Sequence, residues 1–181
     1  MYTGEKVRLR EYRKEDVPKA QGFVNDPEIK RLMGGIPFPY TLWDEEKFIT
    51  QQSASNNNYS FAIETLENNH YIGGCGLNSL DWKNRVAEIG IFIGDKEYQN
   101  RGYGTDALKV LLRFIFDQLN LHKVSLRVLS YNERAIKVYK RLGFRDEGCL
   151  RQERFVDGAY HDLLAMGILK DEFAEIEKES Q

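Results

Sequence analysis

Two glycines, Gly102 and Gly104, lie between an apolar run and a helical pattern, and this arrangement constrains the fold more than any other feature of the sequence. Residues 85–93 are mostly apolar, as expected of a buried strand. The helical pattern that follows carries its apolar residues on one face: Leu108, Leu111, Leu112, Ile115 and Leu119. A glycine turn lets backbone N–H groups approach a ligand, and a helix N-terminus favours an anion. The segment therefore predicts a strand, a pyrophosphate-binding turn and a helix.

The candidate ligand-binding residues of the turn are consecutive: Asn100, Arg101, Gly102, Tyr103, Gly104 and Thr105. A P-loop would need a Lys followed by Ser or Thr after the second glycine, and this turn has Thr105 and Asp106 there. A dinucleotide fingerprint would place its third glycine where Ala107 stands, although Ala is sometimes tolerated at that position. A glycine-rich turn without a ligand is the simpler alternative, and the added charge of Arg101 favours the anion site.

Composition narrows the class of protein. The 181 residues are 41% hydrophobic and 30% charged, which predicts one packed domain over residues 1–169 and a charged tail over 170–181, expected to form a short helix. A net charge of -2 argues against nucleic acid as a partner, and no apolar run approaches the roughly 18 residues of a membrane helix. Only two cysteines are present, and His and Cys lack metal-ligand spacing, so we expect a cytoplasmic protein without a metal.

The order of predicted elements is β-α-α-β-β-β-α-β-α-β-β, which indicates an α+β fold. The seven strands are predicted near residues 7–10, 59–63, 71–80, 85–93, 124–128, 144–153 and 160–169. The first helix is predicted to end near residues 25–27, an irregular loop to occupy residues 34–39, and Thr41 with Asp44 to form a capping box. The helix of residues 103–119 joins two strands that we expect to be parallel.

Two motifs follow one another along the chain: Gln99-x-x-Gly102-x-Gly104, then Asn132-x-x-Ala135-x-x-x-Tyr139-x-x-x-Gly143-Phe144. Together they resemble the GNAT superfamily of acetyl-CoA-dependent N-acetyltransferases. The resemblance is to the RimJ/RimL type of ribosomal-protein N-terminal acetyltransferases and to the bacterial spermidine N-acetyltransferases, and it covers roughly residues 5–169. It implies a single domain with a mixed, mostly antiparallel sheet of six to seven strands, flanked by helices.

The resemblance also implies how acetyl-CoA, the co-substrate, is bound. The strand 85–93 is expected to splay from the strand 124–130, and the pantetheine arm would enter the gap beside the backbone of Ile91, Phe92 and Ile93. Asn132 would contact this arm, and its role as a helix N-cap is an alternative explanation. Three cations could reach the phosphates or be ordinary solvated side chains: Arg101, Arg134 and Lys140.

Two residues are candidates for the chemistry. Tyr139 lies two helical turns after Asn132 and on the family's motif position, so we expect it to donate a proton to the leaving thiolate; a buried packing role is the alternative. Glu88 alternates with Ile89 and Ile91 and could accept the amine's proton, directly or through a water. A surface glutamate paired with a cross-strand Lys or Arg explains Glu88 equally well.

The expected acceptor is a primary amine, either a small molecule or a protein N-terminus, bound between residues 25–55 and the last hairpin. The acidic residues Asp44, Glu45 and Glu46 could attract a polyamine, but we expect them to face solvent in the first turn of a helix. No His neighbours either cysteine in sequence, which favours direct attack in a ternary complex. A non-catalytic acyl-CoA sensor is the alternative function, and self-association into a homo-oligomer is left open.

Overall fold

The computed structural model describes residues 2–34, 38–54 and 59–179, and its centre is a seven-stranded sheet in the order β1-β2-β3-β4-β5-β7-β6. The strands are β1 Val7–Arg10, β2 Ser60–Thr65, β3 Tyr71–Asp81, β4 Val86–Ile93, β5 Lys123–Leu129, β6 Arg145–Val156 and β7 Ala159–Leu169. Only the β4–β5 pair is parallel, and the other five pairs are antiparallel. The predicted α+β fold with a mixed, mostly antiparallel sheet is confirmed.

Helices cover both faces of the sheet. They are α1 Val17–Asn25, α2 Pro27–Met33, α3 Leu42–Ala54, α4 Tyr103–Arg113, α5 Glu133–Arg141 and α6 Lys170–Glu179. The larger apolar cluster joins α4 to the central strands and includes Ile89 of β4. The smaller one joins α1 and α3 to the opposite face, where Phe92 of β4 packs against it. The alternation predicted for β4 therefore places successive side chains in different cores.

The segment between α1 and α3 is the main departure from the predicted elements. Instead of running directly into a loop, the chain forms α2, whose N-cap Asp26 accepts hydrogen bonds from the backbone N–H groups of Glu28 and Ile29. Pro27 occupies the first helical position, and Gly34 ends the helix with a positive φ of 61°. The Asp-Pro pair that signals a helix end is thus also a helix start. Residues 35–37 of the predicted loop lie outside the described residues.

The first turn of α3 confirms the capping box and corrects one expectation. The Thr41 backbone N–H donates to Asp44 Oδ2 over 2.8 Å, and the Asp44 N–H donates to Thr41 Oγ1 over 3.2 Å. Asp44 and Glu46 are exposed as expected. Glu45 is not, because its side chain turns inward and only 6% of the residue is exposed. A helix dipole explains an acidic first turn, but it does not decide which acid faces the core.

The helix after the glycine turn changes its geometry before it ends. After Arg113 the chain widens into a π-helical turn over residues 114–118, closed by a hydrogen bond from Leu119 N–H to the Phe114 carbonyl. The C-terminal helix α6 packs on this region, where Phe173 is buried against the ring of Phe116. Within the described ranges, no helix is both long and apolar enough to cross a membrane.

Candidate active site

The two parallel strands β4 and β5 separate after three residue pairs. Val86, Ala87 and Glu88 pair with Lys123, Val124 and Ser125, and no pairing joins the two strands beyond Glu88 and Ser125. Residues 89–93 remain paired with β3 on their other side. Backbone N–H groups alternate in direction along a strand, so every second one in residues 89–93 faces the gap. The predicted splay is confirmed, and it leaves backbone donors and acceptors that an extended ligand can use.

The glycine turn closes one end of this gap. A short 3-10 turn over residues 96–98 leads from β4 into it, and Gln99 Nε2 donates to the Ile93 carbonyl over 2.8 Å, which ties the turn to the strand. Asn100 and Gly102 have positive φ angles of 60° and 87°. Gly102 is the N-cap of α4, so the helix's free N–H groups follow it at once. A side chain at position 102 would be strained in this conformation.

A cavity of about 710 Å³ lies between the turn, β4 and the helices α2 and α5. The gap and the turn thus open into one space. Nine of the residues predicted for the site line it: Ile91, Phe92, Ile93, Asn100, Gly102, Gly104, Thr105, Asn132 and Tyr139. A cavity of this size is typical of a cofactor site, and the helix N-terminus at its wall favours an anionic group.

Two predicted residues of the turn do not line the cavity. Arg101 is not among its lining residues, and its carbonyl accepts a hydrogen bond from Lys6 Nζ over 2.9 Å. Tyr103 is also outside the lining, where its hydroxyl donates to Glu67 Oε1 over 2.8 Å. The hydrogen bond with Glu67 raises the pKa of the Tyr103 phenol. Arg101 and Tyr103 therefore hold the outer side of the turn in this structure.

Lys140 and Glu88 also lie outside the cavity lining. Lys140 Nζ lies 2.8 Å from Asp146 Oδ2, in an exposed ion pair. Glu88 Oε2 lies 3.2 Å from Arg127 Nε on the neighbouring strand, so the cross-strand ion pair considered above is formed. Glu88 nevertheless occupies the last paired position before the strands part, on the same face of β4 as Phe92.

Helix α5 carries the two site residues of the second motif. Asn132 is its N-cap and accepts a hydrogen bond from the Ala135 backbone N–H over 3.2 Å. Tyr139 is 8% exposed and packs on Phe144, with ring centroids 5.8 Å apart. Burial raises the pKa of Tyr139 to about 12, so the phenol is protonated at neutral pH. Its hydroxyl makes no hydrogen bond to any described residue, which leaves its proton available to a ligand in the cavity.

The cavity has further walls, of which only Arg134 was predicted, as a possible contact of the phosphates. Three cations of α5 line it, Arg134, Lys137 and Arg141, and Arg134 Nη1 lies 3.2 Å from Gln99 Oε1 of the turn. Their spacing of three and four residues is a signal that they share one helix face. Leu32 and Met33 of α2 line the cavity too. They fall within residues 25–55, which were predicted to contribute to acceptor binding, but α2 itself was not predicted.

The cysteines lie away from this cavity. Cys75 is buried in β3, where burial raises the pKa of its thiol. Cys149 is exposed on β6, and its pKa is raised by desolvation and by Asp162. Both groups are therefore thiols at neutral pH, which disfavours either as a nucleophile. Among the residues described, no three of His, Cys, Asp and Glu cluster as metal ligands would.

The parallel pair forks, and the gap between its strands ends at a helix N-terminus, which favours an anionic group. The chain belongs to the GNAT acetyltransferase family, because its residues 6–145 match the protein-family model described as "Acetyltransferase (GNAT) domain". This membership confirms the resemblance stated from the motifs, together with acetyl-CoA as co-substrate and N-acetyl transfer as the activity.

Relatives of known sequence and structure agree with this membership. The chain is 31% identical over 176 residues to the uncharacterized N-acetyltransferase p20 of Bacillus licheniformis, covering 96% of this chain and 98% of that protein. It is also 31% identical to the spermidine N(1)-acetyltransferase of Escherichia coli K12, covering 96% and 91%. A crystal structure of spermidine N-acetyltransferase from Vibrio cholerae, in complex with CoA and spermine, superposes with a TM-score of 0.85 at 27% identity, covering 93% and 98%.

Proposed function

We propose that this acetyltransferase moves the acetyl group to a primary amine by direct attack in a ternary complex, with Tyr139 as the general acid. The observation that carries the proposal is that Tyr139, the unpaired end of β4 and the glycine turn line one cavity. A coenzyme that spans this cavity meets, in order, an anion site, a strand edge and a proton donor. This order matches the diphosphate, pantetheine and thioester parts of acetyl-CoA.

The chain's own residues supply the coenzyme's binding groups. The N–H groups at the start of α4 would hold the diphosphate, where they combine free donors with the positive end of the helix dipole. Arg134, Lys137 and Arg141 add positive charge at the same cavity. The gap-facing amides of residues 91–93 would pair with the pantetheine arm as an added strand does. Asn132 would contact this arm with the part of its amide that does not cap α5.

The reaction requires one bond to form and one to break. The lone pair of the neutral amine attacks the thioester carbonyl carbon, and the carbon–sulfur bond then breaks. The Tyr139 hydroxyl gives its proton to the departing thiolate, and the amine's surplus proton passes to a base. Because the carbonyl oxygen becomes an anion in between, gap-facing backbone N–H groups of β4 can stabilise it by hydrogen bonds.

Tyr139→Phe tests the acid role. We expect kcat to fall by about 10²- to 10⁴-fold, the usual contribution of general acid catalysis, while the dissociation constant of CoA stays within about threefold. Tyr59→Phe is the matched control, because Tyr59 is partly buried against the same core that buries Tyr139 but lies outside the cavity. A Tyr139→Phe variant that binds CoA and retains full kcat would contradict the role. A wild type that binds CoA but acetylates no amine would favour the sensor alternative.

Glu88 is the base that we propose, acting through a water molecule. The support is its position at the last paired residues of the fork and on the face of β4 that carries Phe92 into the cavity. We expect Glu88→Gln to lower kcat/KM by 10-fold or more at neutral pH and less at high pH, where more amine is already neutral. Arg127→Gln is the control, since it breaks the same ion pair and keeps the carboxylate. If both variants lose activity equally, loss of the ion pair explains the effect, and the proposed base role of Glu88 is contradicted.

The acceptor is proposed at the level of a primary amine. The relatives named above include enzymes whose names specify spermidine. A Bacillus subtilis relative, YdaF, has a name that suggests a ribosomal acceptor and is 38% identical over 101 residues, 56% of this chain. A panel of polyamines, amino acid amides and ribosomal-protein N-terminal peptides, assayed with acetyl-CoA by thiol release, separates these classes.

A further inference from the structure

Two tyrosines flank the glycine turn, and both are tied to the turn between β2 and β3. Tyr98 precedes the glycine turn and Tyr103 is the first residue of α4, and their rings meet edge to face with centroids 5.1 Å apart. Asn68 Nδ2 donates to the Tyr98 hydroxyl over 3.0 Å, and the Tyr103 hydroxyl donates to Glu67 Oε1 over 2.8 Å. Because Glu67 and Asn68 are consecutive, one short turn holds both ends of the other.

The exposed side chain of Lys6 adds a third contact on the outer side of the glycine turn. Its Nζ lies 5.2 Å from the centroid of the Tyr103 ring, within the range of a cation–π interaction. The same Nζ donates to the Arg101 carbonyl over 2.9 Å. These contacts use side chains and one carbonyl, and none of them uses a backbone N–H group of residues 100–105.

The backbone of the glycine turn is of a kind that needs such support. Asn100 has a positive φ of 60°, and a left-handed conformation at a residue other than glycine is strained and persists where its surroundings hold it. Several N–H groups can bind one diphosphate only when the turn keeps them at fixed relative positions. A site that is already ordered before the ligand arrives binds it more tightly than one that must be ordered during binding.

We propose that Tyr103 is a positioning residue for acetyl-CoA: held by Glu67, it keeps the glycine turn in the conformation that binds the diphosphate. Tyr103 acts through the backbone of the turn and does not touch the coenzyme, which agrees with its place outside the cavity lining. The inference rests on the proposed function, because it concerns the binding of the diphosphate at this turn.

Tyr103→Phe keeps the ring and removes the hydroxyl. We expect it to raise the Kd of CoA and the KM of acetyl-CoA by about 3- to 10-fold, as the loss of one hydrogen bond does, and to leave kcat within about twofold. Glu67→Ala should have the same effect, whereas Glu67→Gln keeps an acceptor oxygen and should restore nearly the wild-type Kd. Tyr2→Phe is the matched control, because the Tyr2 ring packs on Phe61 and Phe114 instead.

The double variant Tyr103→Phe/Glu67→Ala tests whether the two residues act as a pair. Both substitutions remove the same contact, so the double variant should bind CoA no more weakly than either single variant. Losses that multiply in the double variant would show that the two side chains act independently, and would contradict the pairing on which the inference depends.

Acetyl-pantetheine separates positioning from a general effect on the fold, because it carries the thioester arm and lacks the diphosphate. Its kcat/KM, measured far below saturation, should be the same for the wild type and Tyr103→Phe. An unchanged Kd of CoA in Tyr103→Phe, or an equal loss with both donors, overturns the inference while acetyl transfer stands.

Calorimetric titration with CoA decides the inference even if the protein acetylates no amine and the proposed function fails. Binding that is weaker in Tyr103→Phe and in Glu67→Ala, but not in Glu67→Gln, supports the positioning role. Equal affinity in all four proteins, the wild type included, overturns it.

Discussion

At the residue scale, the burial of Tyr139 sets the pH range over which its phenol keeps its proton. Its phenol lies in an apolar environment that raises its pKa to about 12, and deprotonation would remove the proton-donor role that we propose for it. Because the raised pKa moves this loss toward higher pH, we expect kcat to show no decline between about pH 8 and pH 10. A pH profile under saturating substrates, with a buffer control for CoA stability, measures this. A decline below about pH 9 that Tyr139→Phe abolishes would contradict it.

The sequence predicted those site residues that a motif fixes by its spacing. Asn132 and Tyr139 follow from one helix face, and Gly102 from the close backbone approach that a glycine turn allows. Glu45 shows the limit of such reasoning: an acid in the first turn of a helix is ordinarily solvated, and only the packing of α3 against α1 turns this one inward. Neither spacing nor charge in the sequence carries that information.

At the element scale, one buried carboxylate holds the segment at the start of β1 to α4, the helix that follows the glycine turn. Asp106 of α4 accepts hydrogen bonds from the backbone N–H groups of Glu5, Lys6 and Val7, over 3.1, 2.8 and 3.0 Å. These partners are about a hundred residues away in sequence. The contact couples the N-terminal segment to the helix whose first turn faces the cavity.

Asp106→Asn should therefore destabilise the fold. The amide retains one acceptor oxygen but presents an NH₂ group to backbone donors, so we expect a loss of about 2–4 kcal/mol in the free energy of unfolding. Urea denaturation measures this loss, and it should appear in the midpoint with an unchanged slope. Asp117→Asn, an exposed acid just beyond the same helix, is the control and should change stability by less than about 0.5 kcal/mol. Equal stability of the two variants would refute this role.

Element types were easier to predict than element ends. The seven strands and the helices of the two motifs follow from apolar periodicity. Helix α2 was missed because it is only seven residues long, and its start signal at Asp26 also reads as the end of α1. The π-helical turn after Arg113 was not foreseeable either, because its apolar spacing still fits a regular helix.

At the scale of the whole molecule, two cavities lie side by side and share the side chains of Met33 and Phe92. On one side lie an anion site and three lysine or arginine side chains of α5. On the other side lie five aromatic rings together with the charged residues Lys30, Asp44 and Glu45. A net charge of -2 conceals this difference, because the average over the chain carries no information about where its charges lie. The helix N-terminus and the cations of the first cavity favour an anionic coenzyme there.

The most direct measurement is a crystal structure of the protein with acetyl-CoA. The account predicts diphosphate oxygens within hydrogen-bond distance, about 2.7–3.2 Å, of backbone N–H groups in residues 102–105. It also predicts the pantetheine arm between β4 and β5, with the thioester sulfur beside the Tyr139 hydroxyl. A coenzyme bound elsewhere, with an empty turn or with β4 and β5 paired along their whole length, would contradict the account.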